Sequence, residues 1–322
     1  MNSSFNLLVT GGAGFIGSNL VLALQEKCPE ARLTVVDDFR SGDFKNLAGY
    51  RGDFVAQNLA TLDWPQQFGE ERFDAIFHLA SITDTTVHDQ FVQTHDNVES
   101  FRRLLNFAQR DKSRIVYASS AATYGNASSA SNEASGAAPS NVYAFSKVIM
   151  DNIALRAAAE DWMIVGLRFF NVYGPREAHK GVPASMIYHL SKQMAAGQRP
   201  RIFRYGEQQR DFVYVKDIVQ GCLRAFEAER SDIYNLGSGR ARTFNELVHI
   251  LNSLLRTNFE PEYIENPHAH YQNFTQADLS NARDALNYEP QYSLEQGIAD
   301  YMRWLYPDLH VAEGVSEVRL PV

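Results

Sequence analysis

The sequence predicts an α/β protein with a doubly wound parallel sheet and a smaller C-terminal domain. Through the first half of the 322 residues, short apolar or β-branched runs alternate with longer amphipathic stretches, which is typical of repeated βα units. The first run leads directly into the glycine-rich segment GGAGFIG (11–17), as expected where a strand turns tightly into a helix. After about Gly174 this rhythm changes, which indicates a second unit.

The predicted elements follow in chain order. Short runs rich in Val, Ile, Leu and Phe predict strands at 5–10, 32–37, 74–80, 114–119 and 163–168. Amphipathic spacing predicts helices at 91–110, 185–198, 215–229, 244–256 and 293–305. Two further strands are predicted at 210–215 and within 232–239.

The bulk composition favours a small-molecule ligand. The formal net charge of −8 argues against nucleic acid or an anionic membrane as a partner, because such partners usually require a basic face. Cys28 and Cys222 form no CxxC pair or Cys/His cluster, so we expect no metal site and a reducing compartment. No apolar run reaches the roughly 20 residues of a membrane span, and the N-terminus lacks the pattern of a secretory leader. We therefore expect a cytoplasmic protein.

The glycine-rich segment is a candidate dinucleotide site. Gly12, Gly14 and Gly17 have GxGxxG spacing, and Gly11 gives a GxxGxxG pattern with the last two. Glycines at these positions let the backbone turn tightly and approach a pyrophosphate, whose charge meets the free amides of the helix N-terminus. A tight turn without a ligand is the alternative, but the position directly after the first strand favours the dinucleotide.

An acidic residue follows at the distance that the dinucleotide fingerprint expects. Asp37 ends the second predicted strand, where its carboxylate would accept hydrogen bonds from the adenosine ribose, which favours NAD. Arg40 and Lys45 follow closely and could hold the extra phosphate of NADP, so both cofactors stay open. We expect a dinucleotide-binding Rossmann domain over 1–173 and a mainly substrate-binding domain over 174–322, with strands near 163 and 234 as candidates to return to the first sheet.

A serine, a tyrosine and a lysine form the candidate catalytic group. Ser120 ends a strand-like run, and Tyr143 and Lys147 are spaced i, i+4, on one face of a predicted helix. A phenol with a pKa of about 10 is a poor base at neutral pH, but a nearby ammonium and the positive nicotinamide would stabilise its phenolate. Ser120 would hold the substrate oxygen while Tyr143 exchanges its proton. A surface pair without function is the alternative.

These motifs resemble the extended short-chain dehydrogenase/reductase superfamily of nucleotide-sugar enzymes. The resemblance rests on the glycine segment, Asp37, SSAATYG (119–125) and YAFSK (143–147), and it covers nearly the whole chain. In the sugar-nucleotide dehydratases of that superfamily, an Asp-Glu pair follows the catalytic hydroxyl residue, whereas Ala121 and Ala122 stand there in this chain. Elimination of water would lack its general acid and base, so the resemblance implies an epimerase.

Finer motifs are similar to one branch, the ADP-glyceromanno-heptose 6-epimerases of lipopolysaccharide core assembly. They are SITDTT (81–86), NVYGPREAHKG (171–181), GEQQRDFVYVKD (206–217), NLGSGRARTFNEL (235–247) and YQNFTQADLSNAR (271–283). That family removes hydride from C6 of the heptose to the nicotinamide and returns it to the opposite face, which needs two proton-handling groups. The resemblance places these groups at Tyr143 and Lys180.

The resemblance also implies binding residues, a preference for NADP and a homo-oligomer. The glycine segment contributes Gly11, Gly14 and Gly17 to the expected cofactor site, and Arg40 is a further candidate. The other expected cofactor contacts are Phe15, Ile16, Asp37, Asp38, Asn97, Tyr143, Lys147 and Val172. The expected contacts to the nucleotide sugar are Ser120, Asn171, His189, Arg210 and Tyr271.

Some of these substrate contacts have an alternative interpretation. Arg210 begins a predicted strand, where a guanidinium can fork onto a diphosphate, but an ion pair with Glu207 or Asp211 would also explain it. His189 would equally suit a helix face without a ligand. Val182 follows the HKG triplet where the family has a hydroxyl residue, which puts the exact sugar in question.

Two other functions stay open at this point. A 4-epimerase of a UDP-hexose or UDP-N-acetylhexosamine would use Ser120, Tyr143 and Lys147 without needing Lys180. A regulatory or scaffold protein would bind the dinucleotide without turnover, but the intact serine, tyrosine and lysine argue against it.

Overall fold

A seven-stranded sheet forms the centre of the fold in the computed structural model, which describes residues 5–84, 89–158, 161–266 and 272–308. In chain order, the strands are β1 (Asn6–Thr10), β2 (Arg32–Asp37), β3 (Asp53–Ala56), β4 (Ala75–His78), β5 (Arg114–Ser120), β6 (Ile164–Phe169), β7 (Asn171–Tyr173), β8 (Arg201–Phe203), β9 (Gln209–Tyr214), β10 (Ile233–Leu236), β11 (Ala241–Thr243) and β12 (Glu262–Ile264). The helices are α1 (Phe15–Lys27), α2 (Trp64–Phe68), α3 (Gln90–Ala108), α4 (Val142–Ala158), α5 (Met186–Ala195), α6 (Val215–Phe226), α7 (Phe244–Leu255), α8 (Ser280–Leu286) and α9 (Leu294–Leu305).

All pairings within the large sheet are parallel, in the order β10-β6-β5-β4-β1-β2-β3. The register places Val9 of β1 between Val35 of β2 and Phe77 of β4, and all three side chains are fully buried. Parallel strands covered on both faces read as continuous apolar runs, and burial of each such side chain contributes roughly 1.5–3 kcal/mol. The apolar runs of the sequence therefore correspond to the strands of the sheet.

The strand order reverses between β1 and β4. Strands β2 and β3 lie on one side of β1, whereas β4, β5 and β6 continue on the other side. Connections from the carboxyl ends of β1 and β4 therefore diverge and leave a crevice, where ligands of open α/β sheets bind. The turn after β1, the loop after β4 and the end of β5 all line cavities at this edge.

Smaller sheets and helices build the C-terminal half. Strands β11, β9 and β7 form a three-stranded sheet, and β12 pairs with β8. Helices α5, α7 and α9 bury Ile187, Leu247 and Ile298 in one apolar cluster. Phe15, the first residue of α1, belongs to the same cluster, so the end of the glycine turn is attached to the C-terminal half. No helix in the described ranges has the length and apolar character of a membrane span.

Two features of the sheet go beyond the local sequence pattern. The strand β3 was not predicted, because its four residues at the sheet edge are exposed or half-buried and form no apolar run. Strand β10 pairs with β6, so a segment that follows position 174 in the chain lies in the first sheet. The domain boundary at 173 stays a prediction.

Candidate active site

The turn after β1 places free backbone amides at the start of α1. Gly11 has a φ of 72°, a left-handed conformation that glycine adopts without strain. A Cβ atom on Gly17 would lie 2.0 Å from the Gly11 carbonyl oxygen, so the close approach of helix and turn requires glycine. Gly14 is the N-cap and makes no side-chain bond to the first turn, which leaves the amides of Phe15 and its neighbours for an anion.

Asp37 joins the glycine turn to the end of β2. Its buried carboxylate accepts hydrogen bonds from the amides of Ala13 at 2.9 Å and Phe39 at 2.8 Å. Burial raises the pKa of Asp37, and these two bonds oppose that rise. The side chain lines the same cleft as Gly11, so Asp37 is placed both to hold the turn and to accept ribose hydroxyls.

Arg40 lies between two carboxylates at this end of the cleft. Its guanidinium is 2.5 Å from Asp96 and 3.2 Å from Asp38, and the hydrogen bond to Asp96 raises the pKa of Arg40. One positive charge is therefore matched by two negative charges. Lys45, the other sequence candidate for a phosphate, is exposed in a short 3-10 turn at Phe44–Leu47.

Asn97 connects the loop after β4 to the helix that carries Tyr143. Its Oδ1 accepts from the amide of Ile82 at 2.8 Å, and its Nδ2 donates to the Ile82 carbonyl at 3.1 Å and to Ser146 Oγ at 3.0 Å. Ser146 Oγ in turn donates to the Tyr143 carbonyl at 2.7 Å. Asn97 therefore sets the position of the cleft wall relative to α4.

Ser120, Tyr143 and Lys147 converge on one cavity of about 400 Å³. Burial raises the pKa of Tyr143, and a hydrogen bond with Ser120 opposes that rise. Lys147 Nζ lies 5.8 Å from the centroid of the Tyr143 ring and donates to the Ala118 carbonyl at 2.8 Å. Burial lowers the pKa of Lys147 to about 8. The helical spacing that the sequence indicated thus brings a phenol and an ammonium to the same cavity wall.

A buried ion pair lies one helical turn beyond Lys147. Asp151 of α4 accepts two hydrogen bonds from Arg168 of β6, at 3.1 and 3.0 Å, and one from the Tyr117 hydroxyl at 2.9 Å. Its negative charge opposes the lowering of the Lys147 pKa by burial. Asp151 was not predicted as a site residue, although its i+4 spacing from Lys147 on a predicted helix was a usable signal.

Lys180 lies where two cavities meet. It lines both the cavity of Tyr143 and a cleft of about 430 Å³ that extends to Gly11. Its Nζ is 5.6 Å from the centroid of the Phe15 ring. Burial lowers the pKa of Lys180, and the carboxylate of Glu177 opposes this effect. A lysine with a lowered pKa can serve as a general acid or base.

The chemistry of the two adjoining cavities suits a nicotinamide dinucleotide, because one of them reaches the free amides of the glycine turn. Their shared lining residues are Phe15, Ile16, Leu79, Ser81, Thr83, Lys180 and Pro183. The hydroxyl of Ser81 is buried there without a hydrogen-bond partner in the described part of the chain, and a polar ligand would supply one. Leu79 was missed from the sequence; its only signal was its position at the carboxyl end of a predicted strand.

Arg210 forms the far wall of the 400 Å³ cavity, together with Phe244. The buried guanidinium lies 5.9 Å from the Phe244 ring centroid and donates to two backbone carbonyls, those of Gln209 and Gln272. Asp211, one alternative partner, accepts hydrogen bonds from the backbone amides of Ser238, Gly239 and Ala277. This arrangement holds the plane of the guanidinium against the cavity.

The other predicted substrate residues are found in different places. Asn171 lines the same cavity as Arg210, beside Val172, which was predicted as a cofactor contact. His189 of α5 bonds through Nε2 to the Val182 carbonyl at 3.1 Å, and it is absent from the described residues that line the cavity. Val182 itself is 82% exposed. Tyr271 lies outside the described residues.

Solved structures of sugar-nucleotide enzymes are similar to this chain over nearly its whole length. An ADP-L-glycero-D-manno-heptose-6-epimerase from Helicobacter pylori is 39% identical, with a TM-score of 0.89 over 95% of this chain and 98% of that one. A UDP-glucose 4-epimerase from Thermotoga maritima is 29% identical, with a TM-score of 0.88 over 94% and 99%. A UDP-N-acetylglucosamine 4-epimerase from Methanobrevibacter ruminantium is 25% identical, with a TM-score of 0.86 over 95% and 100%.

The family-level match covers the glycine turn, the catalytic helix and the last strand of the large sheet. Residues 7–237 match the NAD-dependent epimerase/dehydratase family, and this range contains every side chain of the two cavities except Phe244. Fold, site and sequence match agree that the chain belongs to the NAD-dependent epimerase/dehydratase family.

Proposed function

We propose that this protein is a sugar-nucleotide epimerase that interconverts ADP-D-glycero-D-manno-heptose and its L-glycero epimer at C6. The observation that carries the proposal is that Tyr143 and Lys180 line one cavity, and that Lys180 also lines the dinucleotide cleft. Inversion by oxidation and reduction on opposite faces requires a proton-handling group for each orientation of the hydroxyl. The 39% identity to a heptose 6-epimerase supports the same substrate.

Each catalytic side chain has a separate role in the proposed reaction. A nicotinamide dinucleotide held by the glycine turn and Asp37 would supply the hydride chemistry at C6. Tyr143 accepts the hydroxyl proton of one epimer, with its phenolate stabilised by the Lys147 ammonium. Ser120 donates to the same oxygen. Lys180 exchanges the hydroxyl proton of the other epimer. Burial lowers its pKa, which makes it a better base than an exposed lysine.

Arg210 anchors the substrate while its sugar end changes orientation. The guanidinium is buried, is held by backbone carbonyls and faces the same cavity as Tyr143. Arginine matches a diphosphate through paired N–H donors. Binding at the diphosphate leaves the sugar free to present either face to the catalytic groups, which epimerisation through a ketone requires.

The charges around Arg40 support NAD as the preferred cofactor. An additional phosphate near this guanidinium would meet the carboxylates of Asp38 and Asp96, which already neutralise it. Asp37 adds a third carboxylate to the same cleft wall. Titration of cofactor-free protein with each dinucleotide tests the preference: we expect tighter binding of NAD, and tighter binding of NADP would contradict it.

The test of the substrate is an NMR assay with three sugar nucleotides. The purified protein is incubated separately with ADP-D-glycero-D-manno-heptose, UDP-galactose and UDP-N-acetylglucosamine, and the epimerised proton is followed. We expect conversion of the heptose. Conversion of a UDP-sugar with the heptose untouched would favour the 4-epimerase alternative, which the similarity to two UDP-sugar 4-epimerases keeps in view.

Replacement of Lys180 separates the two functions further. The variant Lys180→Met should lose nearly all heptose turnover, because it removes one of the two proton-handling groups. Lys192→Met is the matched control, since Lys192 also contacts an aromatic ring, that of Tyr188 at 5.8 Å, but is exposed on α5. A 4-epimerase would tolerate both replacements.

A further inference from the structure

We propose that Glu177 is a positioning residue for Lys180. Its side chain binds both ends of the loop 174–185, which carries Lys180. The inference rests on the proposed function, because it assigns Glu177 to the half of the reaction that uses Lys180. Glu177 is fully buried, and it is outside the residues that line the two cavities in the described chain. It therefore acts through the loop and not by touching the substrate.

The Glu177 carboxylate binds the start and the end of this loop. Its Oε1 accepts from the Gly174 amide at 3.1 Å, at the point where the chain leaves β7. On the other side, the Ser185 amide donates to Oε2 at 2.6 Å and the Ser185 hydroxyl donates to Oε1 at 2.8 Å. Three donors from two ends of the loop thus share one carboxylate.

The backbone of Glu177 also supports Lys180. Its carbonyl accepts from the Lys180 amide at 3.0 Å, within the short 3-10 turn Ala178–Lys180. Ser185 is in turn the N-cap of α5, and its hydroxyl accepts from the Tyr188 amide at 3.2 Å. The position of Lys180 is therefore coupled to β7 on one side and to α5 on the other, through a single glutamate.

A carboxylate suits this role better than an amide. The three groups bonded to the Glu177 carboxylate are donors. The Tyr301 hydroxyl, whose pKa the same carboxylate helps to raise, can also donate. An ionised carboxylate has two acceptor oxygens and no donor. In Glu177→Gln the side chain keeps its size, but one oxygen becomes an NH₂ group that faces an N–H or O–H donor. The variant would loosen one end of the loop, and a displacement of about 1 Å in a catalytic group can cost roughly 100-fold in rate.

The test measures how fast each of the two epimers, added separately, reduces the bound cofactor. Each epimer of the ADP-heptose is mixed with the NAD-loaded protein, and the first turnover is followed by the absorbance of reduced nicotinamide. Lys180→Met identifies the epimer whose oxidation depends on Lys180. We expect Glu177→Gln to slow oxidation of that same epimer by roughly 10- to 100-fold and to leave the other, which depends on Tyr143, unchanged.

Asp217→Asn is the matched control for loss of a buried carboxylate. Asp217 is buried on α6 and accepts hydrogen bonds from the amides of Gln291 at 2.8 Å and Tyr292 at 3.2 Å. It therefore also holds a loop in place, but this loop is remote from Lys180 in the chain. Its replacement should lower stability without any difference between the epimers. Equal slowing of both epimers by Glu177→Gln, or an effect no larger than that of Asp217→Asn, would overturn the inference.

Two further outcomes are distinguishable from these. If Glu177→Gln does not fold, Ser185→Ala removes one donor from the same carboxylate, and the same asymmetry between epimers is expected at smaller size; its absence overturns the inference. If the wild-type protein oxidises neither epimer, the proposed function fails, and the positioning role fails with it. If the wild-type protein is active and Glu177→Gln slows the oxidation of both epimers equally, only the positioning role is contradicted and the proposed function stands.

Discussion

The Lys147 ammonium and the Tyr143 ring face each other along one turn of α4, with 5.8 Å between Nζ and the ring centroid. Lys147 is 1% exposed, so water screens its charge poorly. Burial lowers the pKa of Lys147 to about 8, and Asp151 opposes that shift. The protonated lysine that stabilises a phenolate is therefore lost at mildly alkaline pH.

This relationship predicts an alkaline decline of kcat/KM. As pH rises through about 8, Lys147 loses its proton and the Tyr143 phenolate loses its stabilising charge. The nearby His78 does not contribute at that pH, because burial lowers its pKa to about 3. Lys180 also faces the cavity, so Asp151→Asn is the diagnostic variant: removing the charge that raises the Lys147 pKa should move the decline to lower pH. An unchanged profile would assign the decline to another group.

The titration of Lys147 should also change the free energy of unfolding, but this quantity should rise with pH where kcat/KM falls. The folded-state pKa of Lys147, about 8, lies below its ordinary value of 10.5. Between these two values the unfolded chain binds more protons than the folded chain, so the contribution of Lys147 to stability rises with pH across this window. Urea unfolding at several pH values, compared between wild type and Lys147→Met, isolates the contribution of this group.

Removal of the Tyr143 hydroxyl should abolish most turnover while leaving the fold intact. Tyr143→Phe removes the group that exchanges the substrate proton, and general acid–base groups contribute roughly 100- to 10,000-fold to rate. Tyr124→Phe is the matched control, because the Tyr124 hydroxyl is buried and donates to Asn235 at 2.7 Å. In the described part of the chain, Tyr124 is not among the residues that line the cavity of Tyr143. It should cost about 1 kcal/mol of stability with little change in kcat. Equal effects of the two variants on kcat would remove Tyr143 from the mechanism.

Local patterns explain why much of the fold was predictable. Buried parallel strands such as β5 and β6 are continuous apolar runs, and the Tyr143–Lys147 pair depends only on helical spacing. The parallel Rossmann-like sheet and the epimerase family were confirmed. Edge strand β3 lacks an apolar run, so no local pattern predicted it. The strand near 234 was a candidate for the first sheet, but a local pattern could not identify its partner, β6.

The site depended more on contacts that sequence does not display. In the sequence, Arg40 is a candidate to hold the extra phosphate of NADP. Its partner Asp96 lies 56 residues away, so the sequence did not show that this guanidinium is paired. Glu177 and Ser185 are eight residues apart, and no periodicity links them. His189 bonds to the Val182 carbonyl, a contact set by the path of the loop. The roles of the site residues stay predictions for the experiments above.

Freeing Arg40 should shift the cofactor preference towards NADP. In Asp96→Asn the guanidinium loses its closest carboxylate, 2.5 Å away, and can face an added phosphate. Because exposed ion pairs contribute up to about 1 kcal/mol, the ratio of NADP to NAD dissociation constants should fall roughly fivefold, measured by calorimetry on cofactor-free protein. Glu99→Gln is the control, since it removes an equal charge from α3 but pairs with Arg103. The same change in both variants would show a general charge effect.

Breaking the Asp151–Arg168 pair should destabilise the fold more than breaking a surface pair. Both side chains are almost fully buried, so Asp151→Ala leaves an unpaired guanidinium in the interior, which costs about 3–5 kcal/mol. Asp53→Ala is the control, because the Asp53–Arg32 pair is 60% exposed on both sides and should cost at most about 1 kcal/mol. Urea unfolding measures both values.

The double variant Asp151→Leu/Arg168→Met decides whether the unpaired charge causes that loss. Replacing both members of a buried ion pair by apolar residues removes the desolvation penalty together with the attraction, so the double variant should recover most of the stability lost in Asp151→Ala. It should not recover activity in full, because Lys147 would lose the charge that raises its pKa. If the double variant is as unstable as Asp151→Ala, the hydrogen bond from Tyr117 to Asp151, and not the ion pair, is the dominant contribution.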